Sequence, residues 1–175
     1  IMEGYAAMGA LATVKGLRQL DGLHAGQEPD LRRACRPFAE NCGFTIAESA
    51  QMLVLFDDEL AMELGASVFG AAVDVFVSAD GHKKSISGPG VGNYITMAKS
   101  VAAARAIIGD EALRRGGLVL AHGTGTPQNR VTESEILSRT AQAFGLEDWP
   151  VVAPKCYLGH SIGAAAGDQI STTLG

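Results

Sequence analysis

The sequence has few basic residues and no long uninterrupted apolar run. Its 14 Lys and Arg stand against 19 Asp and Glu, which gives a net charge of -5. Proteins that bind nucleic acid or anionic membranes usually gather Lys and Arg on one face. The most apolar stretch, residues 64–77, is interrupted by Asp74 and is shorter than the roughly 20 residues that span a bilayer. We therefore expect neither nucleic-acid binding nor membrane insertion.

Cysteine is also scarce. Cys35, Cys42 and Cys156 form no C-x-x-C pair, and an odd number leaves one thiol outside any disulfide set, so a reducing cytoplasm is the expected location. No short Cys and His spacing indicates a metal site, and none is expected. The sequence begins at Ile1 without a basic segment, so we expect no signal peptide, and we expect the chain to be part of a longer protein.

What the sequence does contain is glycine and apolar residues. The 22 glycines show no triplet period, and 47% of the 175 residues are hydrophobic. These values are typical of one globular α/β domain or a large piece of one, with tight turns and close backbone packing.

The order of apolar patterns predicts alternating helices and strands. Before residue 110 we expect a helix with one buried face over 2–20, one or two buried strands over 44–56, a short helix over 57–64, a β-branched run over 67–78, an exposed loop over 79–93, and a helix over 94–108 that ends at Gly109. After it, the pattern is strand 118–121, turn 122–127, helix, strand 151–153, turn 155–159 and helix 161–174. A capping box of Thr132 and Glu135 predicts the start of the first of these helices, and Gly145 predicts its end.

The residues best suited to chemistry follow the two late strands. His122 ends the first strand, and Lys155 and His160 follow the second. Ligands of open α/β sheets bind beyond the carboxyl ends of the strands, so these side chains are expected to meet. The helix that begins after His160 should disfavour an imidazolium, and a neutral ring can donate a hydrogen bond to a developing oxyanion.

Each of these residues also has a purely structural interpretation. His122 fits a capped turn, since it lies in Ala-His-Gly-Thr-Gly-Thr-Pro (121–127). Lys155 fits a solvated loop charge. Glu133 could complement the dipole of its helix or pair with Lys155 and hold it in place.

A second motif favours a different class of enzyme. Residues 159–163, Gly-His-Ser-Ile-Gly, match the G-x-S-x-G nucleophile elbow of α/β-hydrolases. That fold needs an acid and then a histidine after the serine. Only Asp168 follows Ser161 in this sequence, so the hydrolase triad is incomplete here.

Taken together, three segments resemble the β-ketoacyl synthases. They are the His122 motif with Glu133, the segment Lys-Cys-Tyr-Leu-Gly-His-Ser-Ile-Gly-Ala-Ala-Ala-Gly (155–167), and Arg36-Pro37-Phe38 with the glycine-containing segment 43–50. Ala39, Cys42 and Ala47 replace the expected Asp, Asp and Gly, and Cys156 stands where a serine is usual. The resemblance extends over nearly the whole chain.

The resemblance implies an α/β fold, the thiolase-like αβαβα layered sandwich. The chain would be an incomplete ketosynthase domain, with residues 1–66 ending the N-terminal half and 67–175 forming most of the C-terminal half. The family's nucleophilic cysteine lies in the first half, and neither Cys35, Cys42 nor Cys156 matches it. The chain alone is therefore expected to be inactive.

The implied activity is that of an acyltransferase: decarboxylative Claisen condensation of an acyl thioester with malonyl thioester in fatty-acid or polyketide synthesis. His122 and His160 would stabilise the enolate oxygen, Lys155 held by Glu133 would supply fixed positive charge, and Thr124 and Thr126 would bind the phosphopantetheine arm. No bound cofactor is expected beyond that arm, which is carried by acyl carrier protein or CoA. The intact enzyme would be a cytoplasmic homodimer.

Two alternatives stay open from the sequence. One is a truncated α/β-hydrolase with Ser161 as its nucleophile. The other is a non-catalytic partner subunit of a condensing enzyme, which contributes histidines or only dimer surface.

Overall fold

The computed structural model describes residues 1–80, Gly88 and residues 90–174. The helices and strands follow one another as α1 Met2–Ala7, α2 Val14–Leu20, α3 Asp58–Glu63, α4 Val91–Gly116, β1 Val119–Leu120, α5 Pro127–Phe144, β2 Val151–Val152, α6 Lys155–Leu158 and α7 Ala165–Leu174. Short 3-10 helices occupy Leu31–Arg33 and Ile162–Ala164.

The strands β1 and β2 run parallel, with α5 as the crossover between them. Val119 lies opposite Val151, and Leu120 lies opposite Val152. The backbone N–H of Ala121 donates to the carbonyl of Val152 at 2.9 Å and extends the ladder by one bond. Parallel strands need such a crossover, and it leaves both strand ends at the same edge. The predicted β-α-β-α order is confirmed in this part of the chain.

Helix α5 begins earlier than the capping box predicts. Thr126 is its N-cap, with the side chain accepting a hydrogen bond from the N–H of Asn129, and Pro127 occupies the first turn. Thr132 lies inside the helix and is buried, so the prediction of a start at Thr132 was wrong. Gly145 ends the helix in the left-handed conformation, with φ 61°, as predicted.

Helices α4 and α5 enclose a small apolar core. Val101 and Leu113 of α4 pack with Leu146, which follows α5. Helix α4 starts at Val91, three residues before the predicted Tyr94, and continues to Gly116. Gly109, with φ 80° and ψ 163°, is not helical and divides α4 into two helical segments, so the predicted end of the first segment at Gly109 is confirmed.

The predicted helix over 2–20 is two helices. Gly9 adopts a φ of 64° and separates α1 from α2, and Leu11 pairs with Phe44 in a parallel bridge. Only Leu17 of α2 is buried, and no residue of α1 is. The continuous buried face was therefore a wrong prediction, because a glycine turn and a bridge interrupt the helical spacing.

The run 44–56 forms a strand-like segment only at its start. Phe44 and Ile46 make parallel bridges to Leu11 and His160. Residues 52–56 have no strand in the described structure and are largely exposed. The prediction of buried strands was wrong for this second part, since a strand needs a partner to satisfy its backbone groups.

The remaining predictions give mixed results. The short helix over 57–64 is confirmed as α3. The β-branched run 67–78 is largely exposed and has no strand pairing in the described structure. Residues 81–87 and 89 of the predicted loop 79–93 lie outside the described residues. Over the described ranges, no helix combines the length and hydropathy needed to cross a membrane.

Candidate active site

The two parallel strand ends bring the predicted histidines together. His122 follows β1, and His160 follows the short helix α6 after β2. Their ring centroids are 5.3 Å apart and the ring planes are almost perpendicular, at 81°. This juxtaposition agrees with the expectation from the sequence that both residues lie at one edge of the sheet.

His160 is fixed through both its backbone and its ring. Its N–H donates to the carbonyl of Thr45 at 2.7 Å, and its carbonyl accepts from the N–H of Ala47 at 3.1 Å. Its ring packs against Phe44, with centroids 5.2 Å apart. Phe44 itself is buried. The segment 44–47, which the sequence analysis assigned to a buried strand, therefore forms the wall behind this histidine.

Glu133 of α5 binds the backbone of the His122 loop. Its carboxylate accepts from the N–H of His122 at 2.6 Å and from the N–H of Gly123 at 2.8 Å. The side-chain amide of Asn129 donates to the same carboxylate at 2.8 Å. These charge-assisted bonds hold the loop where the β ladder ends.

Lys155 lies beneath the loop and is only 2% exposed. Its Nζ donates to the carbonyl of His122 at 2.6 Å and also to Oε1 of Gln169. Burial lowers the pKa of the lysine, and the carboxylate of Glu133 opposes that shift. The amino group is therefore held by two oxygen acceptors in a place with little access to water.

The predicted direct pairing of Lys155 with Glu133 was wrong. Within the described chain, the ammonium has no carboxylate oxygen within 4.0 Å. Glu133 is occupied by backbone N–H groups, and Lys155 by neutral oxygens. The two side chains are instead coupled through one residue, because they bind the N–H and the carbonyl of His122.

Both imidazoles are neutral at physiological pH. Desolvation by the surrounding protein and the charge of Lys155 lower the pKa of His122 to about 4, although the residue is exposed at the surface. The same two causes, with a contribution from His122, lower the pKa of His160 to about 4. The sequence analysis expected neutral His160 from a helix dipole; the structure gives the same state from burial and Lys155.

The tautomer of His160 follows from its local hydrogen bond. Nδ1 accepts from the N–H of Ile162 at 3.1 Å. In a neutral imidazole the other nitrogen then carries the proton. Nε2–H of His160 is therefore a hydrogen-bond donor.

The two threonines of the loop differ in what they offer. Thr124 is buried, and its Oγ1 has no hydrogen-bond partner within the described chain. Thr126 uses its Oγ1 to accept from the N–H of Asn129 at 3.3 Å as the N-cap of α5. Thr124 therefore has hydroxyl capacity left for a bound group, while Thr126 is partly committed to its helix.

Ser161 lacks the geometry of a hydrolase nucleophile. Its hydroxyl donates to Asp168, which also accepts from Ser49 at 2.8 Å. Nδ1 of the adjacent His160 already accepts a hydrogen bond from the N–H of Ile162. The backbone of Ser161 is unstrained, at φ -81° and ψ 16°. Within the described residues, the serine hydroxyl is bonded to a carboxylate and to no imidazole.

Sequence reasoning missed Gln169, which contacts the site directly. It lies in α7, four residues after the buried Ala165, and both face the interior. The signal in the sequence is the four-residue spacing, which places Gln169 on the same helix face as Ala165. A polar side chain on an otherwise apolar helix face must find hydrogen-bond partners.

The cysteines are poor candidates for a nucleophile in this setting. Cys35 is buried, and burial raises the pKa of its thiol. Burial also raises the pKa of the Cys156 thiol. Since the thiolate is the reactive form, neither residue is activated.

Comparison with known families identifies the class to which this fold and site belong. The model of the C-terminal domain of beta-ketoacyl synthases matches residues 70–174. The chain belongs to the beta-ketoacyl synthase family.

Two individual proteins of the family show how similar their sequences are to this chain. The chain is 59% identical over 174 residues to the beta-ketoacyl-[acyl-carrier-protein] synthase FabY of Pseudomonas aeruginosa, covering 99% of this chain and 27% of that protein. It is 29% identical over 175 residues to 3-oxoacyl-[acyl-carrier-protein] synthase 2 of Vibrio cholerae, covering 99% of this chain and 38% of that protein. The chain thus spans between a quarter and two fifths of the length of these relatives.

Solved structures confirm the thiolase-like α/β fold. The crystal structure of the noncanonical ketosynthase FabY from P. aeruginosa matches 98% of this chain and 26% of that one, with a TM-score of 0.92 and 59% identity. A type II polyketide ketosynthase, solved in complex with its acyl carrier protein, matches 99% of this chain and 38% of that one, with a TM-score of 0.69 and 24% identity. The latter similarity concerns the fold alone.

Proposed function

We propose that this chain forms the histidine-bearing part of a β-ketoacyl-[acyl-carrier-protein] synthase that condenses an acyl thioester with malonyl thioester. The observation that carries the proposal is the pair of neutral imidazoles, whose ring centroids are 5.3 Å apart, next to a buried lysine. Family membership and the similarity to FabY support it.

The reaction has two stages. First, a cysteine thiolate outside these 175 residues attacks the acyl thioester; the new C–S bond forms as the carrier thiol leaves. Then the C–C bond between malonyl C2 and its carboxylate breaks, CO₂ leaves, and the electron pair forms an enolate. The enolate carbon attacks the acyl-cysteine carbonyl and expels the cysteine thiolate. Covalent catalysis of this kind divides one difficult step into easier ones.

His122 and His160 act in the second stage. The enolate collects negative charge on the thioester oxygen, and donors already aimed at that oxygen lower the barrier. Nε2–H of His160 is one such donor, and His122 supplies the second. A neutral ring donates without transferring its proton, so the charge stays on the substrate until the C–C bond forms.

Lys155 and Glu133 keep this arrangement in place. Lys155 supplies a fixed positive charge next to the developing anion and binds the carbonyl of His122. Glu133 binds the N–H of the same residue. Thr124, whose hydroxyl lacks a partner within the described chain, is the better of the two threonines for binding the phosphopantetheine arm, and Thr126 is the second candidate.

We further propose that acyl carrier protein or CoA delivers the thioesters and that the intact enzyme is a cytoplasmic homodimer. Both relatives are [acyl-carrier-protein] synthases by name, and the similar polyketide ketosynthase was solved with its carrier protein. The hydrolase alternative has no supporting contact, because Ser161 pairs with Asp168.

The proposal is tested by the mass of the intact enzyme after incubation with an acyl thioester. The expected result is a gain of one acyl group on a cysteine other than Cys35, Cys42 and Cys156, and its removal as a β-ketoacyl product when malonyl thioester is added. An adduct on Ser161, or an acyl-enzyme that malonyl thioester does not discharge, would refute the proposal.

A further inference from the structure

Side chains from three helices hold the backbone where β1 ends, and one of them has no assigned role. Glu133 comes from α5, Lys155 from α6 and Gln169 from α7. We propose that Gln169 is a positioning residue for the condensation, which acts through Lys155 and the Ala121–His122 backbone and must be a neutral amide. The inference rests on the proposed function.

The contacts of Gln169 use both ends of its amide. Nε2 donates to the carbonyl of Ala121, and Oε1 accepts from Nζ of Lys155. Gln169 is 7% exposed and Lys155 is 2% exposed. Water therefore has little access to these side chains and cannot readily replace either hydrogen bond.

The strand end explains why these bonds matter. Ala121 donates the last ladder bond to Val152, and after it the backbone depends on side chains. Gln169 binds the carbonyl of Ala121, and Lys155 binds the carbonyl of His122. Because successive carbonyls are held by two side chains that also bind each other, a shift of Gln169 moves the lysine and the histidine together.

Only a group with both a donor and an acceptor satisfies these two partners. A carboxylate at position 169 accepts from Lys155 but places its lone pairs against the carbonyl oxygen of Ala121. A thioether of similar length offers neither a strong donor nor a strong acceptor. Either change leaves a buried polar group unsatisfied, which is costly.

The neutral charge of Gln169 matters as much as its shape. The charge of Lys155 contributes to keeping both imidazoles neutral. A carboxylate directly on Nζ offsets that charge, whereas an amide leaves it intact. The ionisable groups that surround Lys155 are Glu133, Asp168, Cys35, His122 and His160.

The test uses the intact enzyme with Gln169→Glu and Gln169→Met. The matched control is Gln19→Glu, the same change at an exposed position of α2. CO₂ release from malonyl thioester is measured across pH, and acylation of the nucleophilic cysteine is measured separately. Both Gln169 variants are expected to release CO₂ about tenfold more slowly or worse, because a small displacement of reacting groups has effects of that size. Acylation and the control are expected to stay near wild type.

The pH profiles separate a positioning role from a merely structural one. In Gln169→Glu, the added negative charge raises the pKa of Lys155 and of both histidines. The acid limb of the pH–rate profile, set by the histidines, and the alkaline limb, set by Lys155, therefore both move to higher pH. In Gln169→Met, Lys155 loses an acceptor for its charged form, and the alkaline limb moves to lower pH.

Opposite shifts of the alkaline limb in the two variants support the proposal. Wild-type rates in both variants would overturn it, and so would slower rates or lower thermal stability with unchanged limbs. A wild-type enzyme that releases no CO₂ from malonyl thioester would reject the proposed function and this role with it, before any variant is compared.

Discussion

At the scale of single residues, the protonation of the two histidines depends on their surroundings rather than on their sequence neighbours. Desolvation by the surrounding protein and the charge of Lys155 bring the pKa of each ring to about 4. The sequence placed His122, Lys155 and His160 at one edge because strand ends follow from apolar patterns. It did not reveal that Glu133 and Lys155 bind the N–H and the carbonyl of the same residue, because those contacts depend on where α5 and α6 lie relative to the His122 loop.

The depressed pKa of His160 predicts an acid-sensitive stability. As pH falls from about 6.5 towards about 4, the unfolded chain takes up a proton that the folded chain does not, so stability that is complete above about pH 6.5 is lost on acidification. Thermal unfolding of the intact enzyme measures this. Between about pH 7 and about pH 5, the unfolding midpoint of His160→Asn should fall less steeply than that of the wild type.

The exposed His24 provides the control for this measurement. His24→Asn should follow the wild-type slope. Identical slopes for His160→Asn and the wild type would show that His160 takes up protons in the folded enzyme as readily as in the unfolded chain.

Ser161 distinguishes two classes of enzyme at the same scale. Its hydroxyl is bonded to Asp168 and has no part in the proposed condensation. Ser161→Ala should therefore keep most of the β-ketoacyl synthase activity, measured as product formed from acyl and malonyl thioesters. Complete loss of activity, together with intact folding by circular dichroism, would favour the serine as a nucleophile.

At the scale of elements, the sequence predicted the β1-α5-β2 crossover and the short helix α3, and its strand predictions before residue 80 were largely wrong. Gly145 is a local signal for the end of α5, and local signals of this kind can be recognised in the sequence without knowledge of tertiary contacts. The segments 44–56 and 67–78 could not be predicted, because whether an apolar run forms a strand depends on a partner distant in the chain. The bridges of Phe44 and Ile46 are of that kind.

Gly43 controls how the Phe44 segment meets the site. It adopts a φ of 146°, and a Cβ there would lie 2.3 Å from the carbonyl carbon of Leu11. Gly43→Ala should lower the stability of the intact enzyme by about 1–3 kcal/mol, as overpacking does. It should also slow condensation, because Phe44 packs on the ring of His160. Chemical denaturation and product formation measure the two effects.

Gly4 of α1 is the matched position, since nothing lies within 4 Å of a Cβ there. Gly4→Ala should leave stability and activity close to wild type. Equal behaviour of the two alanine variants would show that the Leu11–Phe44 bridge does not position the site.

At the scale of the whole molecule, the described chain leaves many apolar side chains uncovered. Met52, Leu55, Phe69 and Val77 are each more than 70% exposed. The chain spans about a quarter of the FabY protein of P. aeruginosa. Large exposed apolar patches usually mark contact surfaces, so this region is expected to be covered in the intact enzyme.

The 175-residue chain produced alone should therefore bind a hydrophobic dye strongly and associate with itself. The intact enzyme should bind far less dye per molecule. Dye fluorescence and light scattering measure both properties. A monodisperse chain with no dye binding would show that residues 52–77 fold back on the rest of this chain.

The central claim is that two neutral imidazoles stabilise the enolate formed when malonyl thioester loses CO₂. The most direct measurement is CO₂ release by the intact enzyme in the wild type, His122→Ala and His160→Ala, with acylation of the cysteine followed in parallel. Each substitution should slow CO₂ release by about a hundredfold or more, as loss of an oxyanion donor does, while acylation persists. Release at a near wild-type rate in either variant would contradict the account.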